Sequence, residues 1–152
     1  MKNLVVLGRI LFSLIFLGTI MRHFTGGAAS YAQEKGVPFA YILVPLSGLI
    51  AIAGGLSIAF GYKAKTGAWL IVIFLIPVTL MMHAFWKETD AMQIQMQMTN
   101  FMKNISMLGA ALLIAYFGAG PCSLDNKCKS SEAENPPKES LRDKSETLNF
   151  TT

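Results

Sequence analysis

Four stretches of this chain hold almost no charged residue, and each is long enough to cross a lipid bilayer as a helix. They cover residues 4–21, 39–62, 66–86 and 101–119. A helix rises about 1.5 Å per residue, so the first stretch alone extends about 27 Å, close to the thickness of a hydrocarbon core. Backbone groups in lipid must bond within their own segment, which favours helices. We therefore predict an all-α polytopic membrane protein, an antiparallel four-helix transmembrane bundle.

Composition points to the same class of protein. Hydrophobic residues make up 53% of the 152 positions and charged residues only 14%. Such a chain is too apolar to remain disordered and has too few charges for a nucleic-acid-binding face, while its two cysteines are too few for a disulfide scaffold. Ten of its 22 charges fall in residues 126–152. We predict a membrane domain over residues 1–125 and a disordered cytoplasmic tail over 126–152.

The segments between the stretches differ in length. Lys63, Ala64 and Lys65 predict a hairpin that joins antiparallel neighbours, because it is too short for any other connection. The glycine-rich loop at 22–38 is long enough to fold over one end of the bundle. Residues 92–98 alternate Met or Ile with Gln. This pattern either lies along the membrane surface or begins the fourth helix before residue 101.

Lysine and arginine residues near the ends of the spans set the orientation in the membrane. With four spans, Lys2, Lys63 and Lys65 share one side with the tail, and that side is slightly the more basic. We predict both termini in the cytoplasm, with the first stretch retained rather than cleaved as a signal peptide. Cys122 and Cys128 then face a reducing compartment, so we expect two free thiols.

Small residues form a stripe on the second span. Ser47, Ala51 and Gly55 recur at every fourth position, and Ser106 and Ala110 make a shorter stripe on the fourth span. Small residues let helices approach closely in lipid. The stripes therefore predict tight helix packing and also allow a homo-oligomer.

Ionisable residues inside a span are costly, so each requires a reason. There are three of them, Arg9, His83 and Lys103. Arg9 lies near the start of its helix, where its guanidinium either extends to the cytoplasmic surface or points inward at an anionic or carbonyl-bearing ligand. The sequence leaves both alternatives open.

Four spans would gather polar side chains from three helices at the outer end of the bundle. These are Arg22 and His23 after the first span, His83 and Trp86 at the end of the third, and Lys103 and Asn104 at the start of the fourth. Singly, each is an ordinary interfacial residue; together they form a candidate ligand site, with Arg9 as a further candidate. No metal-ligand spacing, acid pair or Ser-His-Asp arrangement accompanies them, so we predict no metal site and no catalytic residue.

Several motifs resemble the DoxX-like family of membrane proteins. In chain order they are Gly8-Arg9-Ile10-Leu11, Gly36-Val37-Pro38, Pro45-Leu46-Ser47-Gly48, Gly54-Gly55-Leu56, His83-Ala84-Phe85-Trp86, Phe101-Met102-Lys103-Asn104 and Gly120-Pro121-Cys122-Ser123-Leu124-Asp125. The resemblance implies a four-helix protein of the bacterial inner membrane, in a family with members linked to thiosulfate oxidation with quinone or to oxidoreductase assemblies for thiol and oxidative stress. Many relatives carry a glutamate where Ala51 stands here, and its replacement favours a scaffold role.

Three functions stay open on the sequence. The first is a membrane subunit of a redox or oxidative-stress system that holds a quinone or a lipid headgroup near His83, Lys103 and Asn104 and docks a soluble oxidoreductase. The alternative is a noncatalytic membrane scaffold or assembly factor, which binds a soluble partner through the turn at 63–65 or through the tail. A small-solute transporter is the third, disfavoured because the polar residues lie at the rims of the spans. We do not expect the chain to be an enzyme by itself.

Overall fold

The computed structural model describes residues 2–18 and 23–125, and the regular secondary structure of this part of the chain is helical throughout. A single 3-10 turn, Phe85–Lys87, follows the fourth helix. The prediction of an all-α polytopic protein is therefore confirmed. Within the described residues we number five α-helices, α1 (Lys2–Gly18), α2 (Gly26–Glu34), α3 (Ala40–Phe60), α4 (Ala64–Met82) and α5 (Ala91–Phe117).

Three of these helices are long and apolar enough to cross a membrane. They are α3, α4 together with the 3-10 turn that extends it to Lys87, and α5. Helix α1 is also apolar but has only 17 residues, or about 25 Å. Three of the four predicted spans are thus supported by the length and hydropathy of their helices. That α1 also crosses the membrane stays a prediction.

The helices pack in chain order, α1 on α3, α3 on α4 and α4 on α5, with α2 against α3. Successive helices among α1, α3, α4 and α5 are antiparallel. Arg9 of α1 lies beside Gly61 at the end of α3, whereas Phe16, later on α1, lies beside Gly55, earlier on α3. The end of α4 likewise meets the first part of α5. Ile58 and Ile71 are fully buried in the core between them. The short helix α2 occupies part of the segment expected to fold over one end of the bundle.

Close approach at α3 depends on its glycines. A Cβ on Gly54 would lie 2.9 Å from the carbonyl oxygen of Gly67 and from the Ile71 side chain, both on α4. A Cβ on Gly55, on the adjacent face, would lie 3.4 Å from Phe16 of α1. The predicted packing stripe on α3 is confirmed. The stripe on α5 plays no such part among the described residues, because a Cβ on Gly109 would meet nothing within 4 Å.

The structure decides one open alternative and corrects one boundary. Helix α5 begins at Ala91, before residue 101, because the carboxylate of Asp90 accepts a hydrogen bond from the Gln93 backbone N–H at 2.9 Å and caps the helix there. The alternating segment at 92–98 is therefore the start of the helix.

The hairpin between α3 and α4 is made by residues 61–63 instead of the predicted 63–65. Gly61 and Lys63 both adopt positive φ angles, so that α3 ends before Gly61 and α4 begins after Lys63. The predictions for Arg22, Cys128 and the tail at 126–152 lie outside the described residues.

Candidate functional site

Polar side chains gather at both ends of the bundle. One end, which we call the rim, contains α2, the end of α4 and the beginning of α5. The other end contains the hairpin between α3 and α4 and the residues that follow α5. The rim is where the sequence places its candidate ligand site.

The centre of the rim is a chain of hydrogen bonds through His83, Gln97 and Tyr31, which we call the rim network. His83 Nδ1 and Gln97 Oε1 are 2.8 Å apart, and Gln97 Nε2 donates to the Tyr31 hydroxyl oxygen, also at 2.8 Å. Gln97 is only 2% exposed. The network therefore joins three helices, α4 at its C-terminus, α5 and α2.

This arrangement assigns the tautomer of neutral His83. Because the amide nitrogen of Gln97 donates to Tyr31, its carbonyl oxygen faces the imidazole and can only accept a hydrogen bond. Nδ1 of His83 must then carry the proton, which leaves Nε2 as the acceptor of the neutral ring. His83 is half-buried.

Charged residues surround the network. Lys35, just after α2, forms an ion pair with Glu88, which follows the 3-10 turn. The hydrogen bond to Glu88 raises the pKa of Lys35 above its ordinary value of 10.5. Lys103 is exposed and donates to the Asn100 side-chain oxygen at 3.0 Å. The ion pair fastens α2 to the chain beyond α4.

Trp86 belongs to a cluster of three aromatic rings with Phe85 and Phe101. Their centroids are 5.1 to 5.8 Å apart and the rings meet edge to face. Trp86 keeps 55% of its surface exposed, so one face remains available to lipid or to a ligand.

The rim does not gather every predicted site residue. It brings His83 and Trp86 to one end, while Lys103 and Asn104 follow Gln97 on α5 by six and seven residues, about 9 to 10 Å further along the helix. Asn104 is 4% exposed. His23 packs elsewhere, 5.9 Å from the Phe74 ring and against the backbone of Gly48. Arg9 lies at the opposite end of the bundle.

Arg9 is held by a segment that folds back after α5. Its Nη1 donates to the Ala119 carbonyl oxygen at 2.7 Å and its Nη2 to the Cys122 carbonyl oxygen at 3.0 Å. The residue is 5% exposed. Of the two alternatives that the sequence left open for Arg9, this contact favours the inward-pointing guanidinium, because the chain's own carbonyl oxygens supply polar partners inside the protein.

The same segment, residues 118–125, is fastened to the hairpin between α3 and α4, and we call it the clasp. The Asp125 carboxylate accepts hydrogen bonds from the backbone N–H groups of Lys63 at 2.7 Å and Ala64 at 3.2 Å. It therefore caps the N-terminus of α4 from 61 residues away. The Asp125 N–H in turn donates to the Gly61 carbonyl oxygen at 2.9 Å.

Gly61 is required at the centre of the clasp. Its φ is +67°, and a Cβ there would lie 2.6 Å from Cβ of Ser123 and would also strike the Arg9 guanidinium. Ser123 is 3% exposed and donates to the Gly120 carbonyl oxygen at 2.9 Å. Cys122, beside them, is exposed.

Neither end provides an enclosed chamber for chemistry in the described part of the chain. A depression of about 600 Å³ is lined by residues of α5 alone, between Ala91 and Asn100, so it is an open surface of one helix. Within residues 2–18 and 23–125, no three His, Cys, Asp or Glu side chains come together to hold a metal ion. What the rim offers is one oriented imidazole, one ammonium group and an aromatic face.

Sequence reasoning misses four of the residues that build these ends. They are Tyr31, Gln97, Gly61 and Asp125. Gln97 carries the clearest signal, because it is an amide within an apolar helix and needs a partner there. Asp125 is a plausible capping residue by type, but nothing in its neighbourhood points to a helix that starts at residue 64.

Comparison with known proteins identifies relatives over most of the chain. Residues 1–131 match the SURF4 family. Inner membrane protein YqjF of Escherichia coli (strain K12) is 31% identical over 123 residues, which cover 80% of this chain and 88% of that protein. Inner membrane protein YphA of the same strain is 28% identical over 102 residues, which cover 66% of this chain and 71% of YphA.

A eukaryotic relative matches as well, over a smaller part of its own length. Surfeit locus protein 4 homolog of Schizosaccharomyces pombe is 25% identical over 123 residues, which cover 80% of this chain and 36% of that protein. No solved structure matches the chain.

These findings overturn the resemblance to DoxX-like proteins, since the family match assigns residues 1–131 elsewhere. The motifs behind that resemblance are short runs of glycine, proline and interfacial aromatic residues, which membrane helices need for packing and anchoring whatever their family. The redox role that the resemblance implied loses its support with it. The named relatives and the apolar helices indicate a bacterial multi-pass inner membrane protein. The chain belongs to the SURF4 family.

Proposed function

We propose that this SURF4-family protein is a noncatalytic membrane scaffold or assembly factor. The observation that carries the proposal is the rim network, in which the buried side-chain amide of Gln97 is bonded on both sides. His83 is held by Gln97, and Gln97 by Tyr31, so that α2, α4 and α5 are joined. Groups engaged in this way fix the positions of helices, which is the task of a scaffold.

The proposed scaffold crosses the bilayer four times, with both termini in the cytoplasm. The contact of Arg9 with the clasp supports this topology, because it brings the first helix and the chain after the last helix to the same end of the bundle. With 17 residues, α1 lies at the short end of the range for a spanning helix. Lys63 and Lys65 at the clasp end agree with a cytoplasmic location.

The surface we propose for a soluble partner is the exposed hairpin beside the clasp together with the first turn of α4. Lys63 in the hairpin and Lys65 in that turn are both exposed. Two ammonium groups in a region that the clasp holds in place suit an acidic partner surface, which they attract at moderate ionic strength.

The test is purification of the tagged protein from native membranes after cross-linking, with partners quantified for matched variants. Lys63→Glu combined with Lys65→Glu should lower recovery of the soluble partner at least several-fold. His83→Ala and the charge control Lys87→Glu, at the rim, should leave recovery unchanged. A preparation that is free of partners, or one whose partner is lost in His83→Ala alone, would contradict the proposal.

A second candidate is a ligand at the rim, either a quinone-like carbonyl compound or a lipid headgroup. Its support is the exposed surface of Trp86 together with the half-buried His83 and the exposed ammonium of Lys103. The test follows Trp86 fluorescence in a Trp69→Phe background, because both indoles are half exposed. Quinone or anionic lipid should change the signal saturably, and His83→Ala should abolish the change; no change at saturating ligand would remove this candidate.

A further inference from the structure

The outward face of α4 carries a continuous stripe of exposed side chains, which we call the α4 stripe. It consists of Lys65, Trp69, Ile73, Ile76 and Leu80. Their spacing of three or four residues places all five on one face of the helix. More than half of the surface of Trp69, Ile73 and Leu80 is exposed. The stripe therefore faces away from the bundle, toward lipid.

The order of residues along the α4 stripe matches the order of groups in a phospholipid. Helix α4 and the 3-10 turn after it extend 24 residues, about 36 Å, slightly more than a hydrocarbon core of about 30 Å. Lys65, near the start, thus lies at the boundary of the core, and Trp69 lies one turn deeper. From Trp69 to Leu80 the stripe continues for about 16 Å, close to half of the core. A cation, an indole and aliphatic side chains follow one another as phosphate, ester and acyl chain do.

The side chain of Lys65 is held beside the end of α5. Its Cε lies 3.3 Å and its Cγ 3.8 Å from the place that a Cβ on Gly118 would take. The lysine stem therefore crosses the backbone of Gly118, directly after Phe117, which is 74% exposed. A stem packed in this way keeps the ammonium group close to the boundary between α4 and α5.

The exposed cations at the clasp end are not balanced. The Asp125 carboxylate and the Arg9 guanidinium both lie around Gly61, so that one offsets the other. Lys63 and Lys65 are exposed, and neither forms an ion pair within residues 2–18 and 23–125. The ammonium of Lys63 lies 5.7 Å from the centroid of the Tyr62 ring. Two positive groups thus remain at this end without a counter-charge among the described residues.

The rim has no such surplus. Its two lysines, Lys35 and Lys87, are outnumbered by the carboxylates of Glu34, Glu88 and Asp90. The tail at 126–152 adds five cations and five anions, so it does not change the balance at the clasp end. A lysine near an anionic membrane surface favours binding about five-fold. The charge distribution therefore favours an anionic lipid at the clasp end of α4 over the rim.

We propose that the α4 stripe, beside the end of α5, binds an anionic phospholipid. The phosphate accepts hydrogen bonds from the Lys65 ammonium, the ester region lies against the Trp69 indole, and an acyl chain follows Ile73, Ile76 and Leu80. Phosphatidylglycerol is preferred to phosphatidylcholine, because a choline headgroup carries its own cation beside the phosphate. The site needs no soluble partner, so it is independent of the proposed scaffold function.

The test is quenching of Trp69 fluorescence by brominated lipids, with the full-length protein in vesicles and Trp86→Phe removing the other indole. Brominated phosphatidylglycerol diluted in phosphatidylcholine should quench as a lipid bound several-fold more tightly than brominated phosphatidylcholine in the same mixture. Lys65→Gln should remove this preference. Lys63→Gln, the matched control, should keep most of it, because that ammonium lies over the Tyr62 ring.

Two further measurements locate the site and identify its ligand. With Trp86 as the reporter in a Trp69→Phe background, Lys65→Gln should leave quenching by either lipid unchanged, because Trp86 lies at the rim. Inorganic phosphate at millimolar concentration should not displace the lipid from Trp69, since the acyl chain supplies part of the binding.

Four results would overturn the proposal. They are no preference of Trp69 for phosphatidylglycerol, a preference that survives Lys65→Gln, an equal loss in Lys63→Gln, and displacement by inorganic phosphate. The third would indicate a diffuse surface charge, and the fourth a site for free anions. Equal quenching of every variant by brominated phosphatidylcholine verifies that Trp69 keeps its place in the fold.

Discussion

The two ends of the bundle are both held by buried polar groups, but the partners differ. At the rim, side chain bonds to side chain, with Gln97 between His83 and Tyr31. At the clasp, side chain bonds to backbone, with Arg9 on two carbonyl oxygens and Asp125 on two N–H groups. The rim joins helices near their ends, whereas the clasp closes the chain between α1, the hairpin at 61–63 and the residues after α5.

Because the partners differ, substitutions at the two ends should cost different amounts of stability. A neutral side-chain network loses neutral hydrogen bonds when one member is removed, whereas the clasp loses charge-assisted ones, which are about twice as strong. The clasp also satisfies N–H groups that every helix leaves open at its start. We therefore expect the clasp to carry more of the stability than the rim.

The largest effect is expected for Arg9→Met. The change removes two charge-assisted hydrogen bonds and leaves the carbonyl oxygens of Ala119 and Cys122 without partners, at a cost of about 3 kcal/mol in the free energy of unfolding. Reversible unfolding in mixed micelles measures it. The control is Lys103→Met, an exposed lysine with one local hydrogen bond, which should cost less than about 0.5 kcal/mol. Equal small losses in both variants would refute the clasp.

Gln97→Leu should weaken the rim by less. It leaves His83 Nδ1 and the Tyr31 hydroxyl unpaired, which costs about 2 kcal/mol by the same unfolding measurement. Gln95→Leu is the matched control on the exposed side of α5, with an expected change within about 0.5 kcal/mol. A loss larger than that of Arg9→Met would reverse the ranking of the two ends.

Asp125→Ala should cost about 1 kcal/mol, the usual value for a lost N-cap. Asp90→Ala removes a similar cap at α5 and should cost a similar amount. The two variants should differ when each is combined with Arg9→Met. Because Asp125 and Arg9 hold the same clasp, the double variant should lose less free energy of unfolding than the sum of the two single losses. For Asp90 and Arg9, which lie at opposite ends, the losses should add. A double-mutant cycle in mixed micelles measures both couplings, and additivity in both would separate Asp125 from the clasp.

The smallest effect is expected for Lys35→Met at the rim, below about 1 kcal/mol, because the ion pair with Glu88 is only partly buried and is screened by solvent. Because the pKa of Lys35 is raised in the folded protein, its stabilisation is fully present below pH 10.5 and is lost as the pH rises through that higher value. The stability difference between wild type and variant should therefore vanish in alkaline solution. A difference that persists there would indicate a packing role for Lys35 instead.

How much of this could be read from the sequence depends on the kind of partner involved. Hydropathy and small residues predict the spans and the tight face of α3, because both are properties of residue type. The convergence of His83 and Trp86 follows from topology. The bonds of Arg9 could not be predicted, since a backbone carbonyl oxygen has no signature in the sequence and here comes from 110 residues away. The sequence left the start of α5 open, because alternating Met and Gln residues suit a segment that lies along the membrane surface as well as the first turns of a helix.

The central claim is that the clasp and the rim lie on opposite faces of the membrane, joined by an even number of crossings. Labelling of intact cells with a membrane-impermeant thiol reagent tests it most directly. Two single-cysteine proteins suffice: Cys122 in a Cys128→Ser background, and Ala91→Cys with both native cysteines replaced by serine. Position 91 should be labelled from outside the cells, and Cys122 only after the cells are opened. Labelling of both positions from the same side would contradict it.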